Sequence, residues 1–234
     1  MNALKRAAAL AAVELIPPNA VVGLGSGSTL VYFIQELGLR VRQGQLHVTG
    51  VSTSYQARSL AKEYGIPLWD PMDIDSVDIA VDGADEVDPA GNVIKGAGGA
   101  QVMEKVVAAC AKQFIIVVDE RKCVPTLGTR ATVPVEVIAP ALALVTRRLR
   151  ELGGKPMLRS GSGKLGPVIS DLGHLILDVQ FAPIADAVRL DQQINSLPGV
   201  VGHGLFINMV DQVIIARSPV ENPRVEMLQV TRQA

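Results

Sequence analysis

Residues 77–105 read VDIAVDGADEVDPAGNVIKGAGGAQVMEK, and this segment decides how the rest of the chain is interpreted. It begins with an apolar run at 77–81 that predicts a buried β-strand. Four carboxylates follow the strand, then a lysine and a cluster of glycines, and finally a helical pattern that carries Glu104. Carboxylates, a lysine and exposed backbone amides in one short span are suited to binding a phosphorylated, polyhydroxylated molecule and to proton transfer.

Short apolar strands alternate with amphipathic helices through the first half of the chain. Such alternation predicts a parallel sheet with helices on both faces. Ligands bind such sheets at the carboxyl ends of the strands, where the polar loops collect. The predicted strands cover residues 20–24, 46–51, 77–81 and 114–118, and the predicted helices cover residues 3–15, 30–37, 55–64 and 100–112.

The pattern changes near residue 131 to the order β-α-β-β-α-β, which is that of a ferredoxin-like unit. A later apolar run at 212–216 predicts a strand that returns to the first sheet. We therefore expect an α/β protein with a Rossmann-like parallel sheet domain (1–130 plus 210–234) and an inserted ferredoxin-like α+β domain (131–209). The second block is predicted to contain strands at 133–138, 157–160, within 167–178 and at 204–208, and helices at 140–152 and 183–196.

Composition excludes several partners. Lys and Arg number 22 against 23 Asp and Glu, and aromatic residues make up only 3%, so neither nucleic acid nor an anionic membrane surface is expected as a partner. No apolar run approaches the ~18 residues that a membrane span requires. The two cysteines, Cys110 and Cys123, lie beside apolar segments. We expect them to be buried thiols in a reducing, cytoplasmic protein.

The first glycine loop, GLGSGST at 23–29, joins a predicted strand to a predicted helix. Glycines let the backbone approach a ligand closely, and amides at a helix N-terminus bind anions. The candidate anion-binding residues are Ser26, Gly27, Ser28 and Thr29; the alternative is a tight turn in which Ser28 caps the helix. The loop lacks the lysine of a Walker motif, and Ser52 stands where a dinucleotide site would have an acidic residue.

Two aspartates, Asp82 and Asp85, flank Gly83 and Ala84 at the predicted end of a strand. A loop of this kind can direct two carboxylates at sugar hydroxyls or assist ring opening by proton transfer. The alternative is a plain turn with Asp85 as its cap. Asp88 is interpreted as a turn residue, and the neighbouring Glu86 as a solvated side chain.

A second glycine loop, 96–99, follows Lys95 and precedes a helix. A lysine beside exposed amides can hold a phosphate or stabilise an enolate oxygen. Glu104 lies in the first turns of that helix, where a partly desolvated carboxylate can move a proton between adjacent carbons. The alternative is an exposed glutamate beside Lys105. Lys122, past another strand, could face the same ligand.

Nothing in the sequence suggests a metal site. The three histidines are scattered, and no HExxH or CxxC motif is present. We therefore expect no metal site.

These motifs as a set resemble those of type A ribose-5-phosphate isomerases. The resemblance covers nearly the whole chain and keeps the order of the motifs. The matching segments are GLGSGST (23–29), GVSTSYQA (50–57), DGADEVDP (82–89), IKGAGGAQVMEK (94–105), VVDERK (117–122), VPVEVI (133–138) and LPGVVGHGLF (197–206).

The resemblance implies a metal-independent interconversion of D-ribose 5-phosphate and D-ribulose 5-phosphate through an enediol(ate). It implies that Glu104 is the base, that Asp82 and Asp85 act on the ring and the hydroxyls, and that Lys95 also takes part. It further implies a Rossmann-like sheet with a ferredoxin-like insertion, and a homodimer or tetramer. The substrate-binding residues that it implies are Ser26, Gly27, Ser28, Thr29, Asp82, Gly83, Ala84, Asp85, Lys95, Gly96, Ala97, Gly98 and Lys122.

One departure from the family pattern is Ala97, which stands where the family usually has glycine. Alanine would be strained there if the position requires a positive φ. Three other classes share related sheets: sugar-phosphate sensors, coenzyme A transferases and amino-sugar phosphate isomerases. The combination of DGADE with KGAGGAQVMEK favours the pentose isomerase.

Overall fold

The computed structural model describes residues 2–161, 163 and 165–231. Its strands are β1 (Ala20–Leu24), β2 (Val48–Ser52), β3 (Val77–Asp82), β4 (Glu86–Val87), β5 (Val93–Ile94), β6 (Ala111–Asp119), β7 (Val133–Val137), β8 (Lys155–Leu158), β9 (Leu175–Gln180), β10 (Val200–His203), β11 (Leu205–Phe206), β12 (Gln212–Arg217) and β13 (Arg224–Gln229). Its α-helices are α1 (Asn2–Val13), α2 (Leu30–Arg42), α3 (Tyr55–Glu63), α4 (Gln101–Cys110), α5 (Leu142–Glu151) and α6 (Ala187–Asn195).

The largest sheet has six strands in the order β13-β12-β6-β3-β1-β2. The five strands from β12 to β2 pair in parallel, and β13 adds an antiparallel edge. This confirms the predicted Rossmann-like parallel sheet, including the return of the strand near residue 212. Because the strands are parallel, β1, β2, β3 and β6 all end at one edge of the sheet.

Helix α1 packs against α2, β6 and β12 with a face of small residues. Ala8, Ala9 and Ala12 are completely buried, as are Phe33 and Ile34 of α2. Alanine has little side chain to hold a helix away from its neighbours, so α1 can approach them closely. The Ala-rich N-terminal segment therefore forms part of the core.

The second block has the predicted order of helices and strands, although its last strand lies at other residues than predicted. Its four strands form an antiparallel sheet in the order β10-β7-β9-β8, and α5 and α6 connect β7 to β8 and β9 to β10. This arrangement of β-α-β-β-α-β is ferredoxin-like. The valines of β7 are fully buried in one cluster with Val145 and Leu149 of α5. Val133, Val135 and Val137 alternate along the strand, so they share one face.

Two expectations about local structure were wrong, and one strand was not predicted at all. The last strand of the ferredoxin-like unit is β10, whereas the strand predicted at 204–208 is the shorter β11, which pairs with β5 in a three-stranded sheet with β4. The edge strand β13 was not predicted, because its residues are almost all exposed and give no apolar signal. Cys110 and Cys123, expected to be buried, are both partly exposed.

The chain divides into two compact units. The first unit contains residues 1–84, 103–122 and 208–234, and the second contains residues 85–102 and 123–207. The segment 85–102, assigned from sequence to the Rossmann-like domain, groups with the second unit because β5 pairs with β11. Among the described residues, no helix has both the length and the apolar character needed to cross a bilayer.

Candidate active site

The first glycine loop lies in the first unit, between the end of β1 and the start of α2. Ser26 Oγ is 2.9 Å from Thr53 Oγ1 and donates a hydrogen bond to Ser54 Oγ over 2.6 Å. The Ser26 amide donates to Asp82 Oδ1 over 3.2 Å. The loop after β1 is thus hydrogen-bonded to residues that follow β2 and to the last residue of β3. This confirms the expectation that polar loops of this sheet meet at the carboxyl ends of its strands.

Glycine is required at two positions of this loop for different reasons. A Cβ on Gly25 would lie 2.3 Å from the Asp82 carboxyl carbon, so only glycine permits this close approach. Gly27 has a φ of +101°, which L side chains rarely adopt. The residue before α2 is Thr29, whose side chain makes no capping hydrogen bond. The alternative interpretation, a turn capped by Ser28, is therefore not supported.

Lys5 also reaches this loop, which the sequence did not indicate. Its Nζ donates a hydrogen bond to Ser28 Oγ over 2.8 Å from α1. The two residues are 23 positions apart, and their contact depends on how α1 packs against α2. No local sequence pattern indicates that packing, so the contact between Lys5 and the loop could not be predicted from the sequence.

Asp82, at the carboxyl end of β3, is almost completely buried. Its Oδ1 accepts hydrogen bonds from the amides of Ser26 and of Gly83, the latter over 2.7 Å. Two backbone donors fix the direction of the carboxylate. The structure therefore supports an oriented carboxylate at this position and not a solvated turn residue.

Glu104 lies in the first turn of α4 and is only 5% exposed. The alternative of a surface glutamate is therefore wrong. A buried carboxylate has lost much of its hydration, and the helix N-terminus favours its negative charge. These are the conditions in which a carboxylate can act as a base.

Lys122 ends a short 3₁₀ helix that follows β6, and it is partly exposed. The strand before it ends at Asp119, which is 2% exposed. The carboxylate of Asp119 accepts hydrogen bonds from Arg121 Nε over 2.8 Å and from Arg121 Nη2 over 2.7 Å. These hydrogen bonds lower the pKa of Asp119. The ion pair lies at the end of β6, just before Lys122.

The second glycine loop lies in the second unit with Asp85 and Lys95. Asp85 Oδ2 accepts a hydrogen bond from the Ala97 amide over 2.9 Å, so the carboxylate and the loop predicted to bind substrate are in contact. Lys95 is 3% exposed, and its Nζ lies 5.5 Å from the centre of the Phe206 ring. Burial against an aromatic face removes water from the ammonium, which strengthens its interaction with an anion.

Glycine is used in this loop at Gly96 and Gly99, with φ values of +102° and +79°. Among the described residues, Asn19 and Asn208 are the non-glycine residues with positive φ. Ala97 therefore does not have the positive φ that would strain an alanine. The departure from the family pattern at this position leaves the loop backbone unstrained.

Glu86 was expected to be solvated, and this was wrong. It is 1% exposed, and its carboxylate accepts hydrogen bonds from the amides of Gly128, Arg130 and Ala131 over 2.5–2.8 Å. Asp88 is the turn residue expected, because its Oδ1 accepts from two amides of the turn that follows it. Glu86 has a structural role: it fixes the segment that leads into β7.

Within the described part of the chain, no cluster of three or more His, Cys, Asp or Glu side chains could hold a metal ion. The candidate functional groups of the described residues are carboxylates, lysines and loop amides in each of the two units. In the first unit these belong to Ser26–Thr29, Asp82, Glu104 and Lys122, with Lys5 in addition. In the second unit they belong to Asp85, Lys95 and the loop 96–99.

Comparison with known proteins identifies the family. The model of the family described as ribose 5-phosphate isomerase A (phosphoriboisomerase A) matches residues 49–219. This chain belongs to the ribose 5-phosphate isomerase A family. A relative in Thermosynechococcus vestitus, named ribose-5-phosphate isomerase A, is 49% identical over 223 residues, which are 95% of this chain and 94% of the relative.

Solved structures of ribose 5-phosphate isomerases have the same fold. The enzyme from Methanocaldococcus jannaschii is 44% identical with a TM-score of 0.89, and it aligns over 97% of this chain and 98% of its own. The enzyme from Plasmodium falciparum is 32% identical with a TM-score of 0.91, over 98% and 99% of the two chains. A D-ribose-5-phosphate isomerase in complex with phospho-erythronic acid is 42% identical with a TM-score of 0.92, over 97% of both chains.

Proposed function

We propose that this chain interconverts D-ribose 5-phosphate and D-ribulose 5-phosphate by proton transfer. The observation that carries the proposal is the burial of Glu104 in the first turn of α4 in a chain of this family. An aldose–ketose isomerisation needs one base that can take a proton from one carbon and return it to the next. A single desolvated carboxylate meets that need.

Glu104 is assigned as this base. In the direction from aldose to ketose, its carboxylate removes the proton from C2, and the electrons of the C–H bond form the C1–C2 double bond of an enediol(ate). The O1 oxygen gains a proton and the O2 oxygen loses one. Glu104 then returns its proton to C1, which leaves a carbonyl group at C2. No atom is gained or lost overall, so no redox partner is required.

Lys95 and the amides of 96–98 are assigned to the oxygen that becomes negative in the enediolate. A desolvated ammonium stabilises such an oxygen more strongly than a solvated one, because less water competes for it. Asp82 and Asp85 are assigned to the ring oxygen and the hydroxyls. The assignment of Asp82 is supported by the fixed orientation of its carboxylate. The assignment of Asp85 is supported by the hydrogen bond that its carboxylate accepts from the Ala97 amide.

The phosphate is assigned to the loop Ser26–Thr29, which precedes α2, together with Lys5 and Lys122. Amides and hydroxyls at a helix N-terminus favour an anion, and an ammonium in contact with the same hydroxyl adds charge attraction. Lys5 supports this assignment because it already donates to Ser28. The remaining residues of the predicted set, Gly83 and Ala84, contribute backbone groups beside Asp82.

Several further expectations belong to the same proposal. We propose that the enzyme needs neither a metal nor an organic cofactor, and that it works in the cytoplasm as a homodimer or tetramer. Its partner is a phosphopentose, with no nucleic acid or membrane partner. The division into domains at residues 130/131 and 209/210 stays a prediction.

The proposal is tested with purified protein that has been treated with a chelator. Ribose 5-phosphate and glucosamine 6-phosphate are supplied in parallel, and the ketose products are measured. We expect rapid conversion of the pentose phosphate alone. Binding of the pentose phosphate without conversion would support a sensor instead, and conversion of glucosamine 6-phosphate would support an amino-sugar phosphate isomerase. An acyl-enzyme trapped by hydroxylamine would support a coenzyme A transferase.

A further inference from the structure

Arg159, which directly follows β8, contacts the second glycine loop. Its Nη2 donates a hydrogen bond to the Gly96 carbonyl over 3.0 Å, and its Nη1 donates to the Ala97 carbonyl over 3.2 Å. Its side chain is only 13% exposed. One guanidinium thus holds two successive carbonyl oxygens of a loop that is rich in glycine and would otherwise have many accessible conformations.

The guanidinium is itself held by Asp178 of β9. Arg159 Nε donates to Asp178 Oδ2 over 2.8 Å, and Nη2 donates to Oδ1 over 2.5 Å. This is the two-point geometry in which arginine and a carboxylate match best. Arg159 directly follows β8, its backbone amide donates to the Ile176 carbonyl of β9, and Asp178 lies in β9, so the position of the guanidinium is fixed by rigid structure.

The Gly96–Ala97 peptide transmits this position to Asp85. The C=O and the N–H of a trans peptide point in opposite directions. The Gly96 carbonyl points at Arg159, and the Ala97 amide on the other side donates to Asp85 Oδ2 over 2.9 Å. If the carbonyl lost its partner, rotation of this peptide would move the donor away from the carboxylate.

We propose that Arg159 is a positioning residue that orients the Asp85 carboxylate through the Gly96–Ala97 peptide. The inference rests on the proposed function, in which Asp85 acts on the ring and hydroxyls of the sugar. The Arg159 guanidinium donates hydrogen bonds to Asp178 and to the two loop carbonyls. Its effect on turnover therefore comes from the direction of another group, and a lysine, with one nitrogen, cannot replace its separate donors.

The test is a double-mutant cycle on turnover of ribose 5-phosphate. The variants are Arg159→Ala, Arg159→Lys, Asp85→Ala and the double variant Arg159→Ala/Asp85→Ala. We expect Arg159→Ala and Arg159→Lys to lower kcat by about 10- to 100-fold, as misdirection of a reacting group does. In the Asp85→Ala background, we expect the same Arg159→Ala change to lower kcat by less than about threefold, because the two changes remove one interaction chain.

Two measurements separate positioning from a loss of folding. Millimolar guanidinium ion, far below denaturing concentrations, should restore part of the kcat of Arg159→Ala, because it can occupy the space of the missing head group. Arg148→Ala serves as the control: Arg148 lies in the same unit, pairs with Glu151 and is 54% exposed. We expect that control to keep wild-type kcat, with no response to guanidinium.

The outcomes distinguish the inference from the proposed function. A wild-type enzyme without turnover would overturn both. An active wild type with an equally active Arg159→Ala would overturn the inference alone. The inference would also be overturned if Arg159→Ala lowered kcat by the same factor with Asp85 present as in the Asp85→Ala variant. That result would show that Arg159 does not act through the Asp85 carboxylate. If Arg159→Ala does not fold, the cycle with Arg159→Lys, which keeps a charge beside Asp178, decides in the same way.

Discussion

The backbone amide of Ser26 donates a hydrogen bond to Asp82 Oδ1 over 3.2 Å, although 56 positions separate the two residues. This bond joins the loop assigned to phosphate with a carboxylate assigned to the sugar ring. It depends on the close approach of Gly25 to the Asp82 carboxyl group, which no residue with a Cβ permits. The backbone of the first glycine loop and the direction of this carboxylate are therefore set together.

Replacing Gly25 with alanine should disturb both the backbone of the first glycine loop and the direction of the Asp82 carboxylate. The new Cβ would lie 2.3 Å from Asp82 Oδ1 and 2.6 Å from the Val81 carbonyl, so the backbone or the carboxylate must move. We expect a loss of about 1–3 kcal/mol in the free energy of unfolding, as in other over-packed sites. We also expect a fall in kcat/KM of about tenfold or more, because the carboxylate is misplaced.

Urea denaturation and steady-state kinetics measure these two effects. Gly161→Ala is the control, since among the described residues its Cβ would meet Val168 at an ordinary contact distance of 3.4 Å. A Gly25→Ala protein with wild-type stability and turnover would show that the close approach has no role.

Lys5 is predicted to act mainly on substrate affinity. Its ammonium already contacts Ser28 Oγ in the loop assigned to phosphate. We expect Lys5→Met to raise the KM for ribose 5-phosphate by about tenfold, the cost of one charge-assisted hydrogen bond, with a smaller change in kcat. Raising the salt concentration should reduce the difference from wild type, because salt screens the lost attraction.

Lys112→Met provides the comparison for Lys5. Lys112 pairs with Asp78 over 2.7 Å near the start of β3, which is the end of the sheet opposite to Asp82. Removing that lysine should leave KM unchanged. Equal KM values for the Lys5 and Lys112 variants would remove Lys5 from the phosphate site.

The Asp119–Arg121 pair predicts a stability difference that depends on pH. The Arg121 hydrogen bonds lower the pKa of Asp119 below its unfolded value of about 3.9, so the pair stabilises the folded state fully only above that value. We expect Asp119→Asn to cost about 1–2 kcal/mol at neutral pH, typical of a hydrogen bond to a charged group.

Below about pH 4, this difference between wild type and variant should shrink, because the wild-type carboxylate becomes protonated as the pH falls through its lowered pKa. Urea titrations at several pH values between about 3 and 7 would measure it. Other carboxylates titrate in both proteins and cancel in the difference. A difference that stays constant down to the lowest pH would contradict the assigned cause of the shift.

Much of the fold was predictable because its signals are local. Residues 20–24 are apolar, as in a buried strand, and a glycine loop follows them directly. The structure has β1 at the same residues. The order β-α-β-β-α-β likewise predicted the ferredoxin-like unit. β13 escaped prediction because it lies on a sheet edge with most of its side chains in solvent, where no burial constrains the sequence.

The candidate site was predictable only in part, for a related reason. Asp82, Lys95 and Glu104 stand in one segment whose composition indicates a site. Glu86 belongs to the same segment, yet its carboxylate accepts hydrogen bonds from amides that lie 42–45 positions away along the chain. Lys5 depends in the same way on the packing of α1. Groups that are brought together by long-range packing leave no local pattern.

Replacing Glu104 with glutamine tests the central claim most directly. Glutamine has the same shape but cannot accept the proton from carbon, so the protein should fold normally and lose turnover by a factor of about 100 to 10,000. The decisive measurement is incorporation of deuterium at C1 of ribulose 5-phosphate in heavy water, which reports proton abstraction without requiring ring closure. The wild type is predicted to exchange this hydrogen and Glu104→Gln is predicted not to. Exchange at the wild-type rate in Glu104→Gln would show that another group is the base.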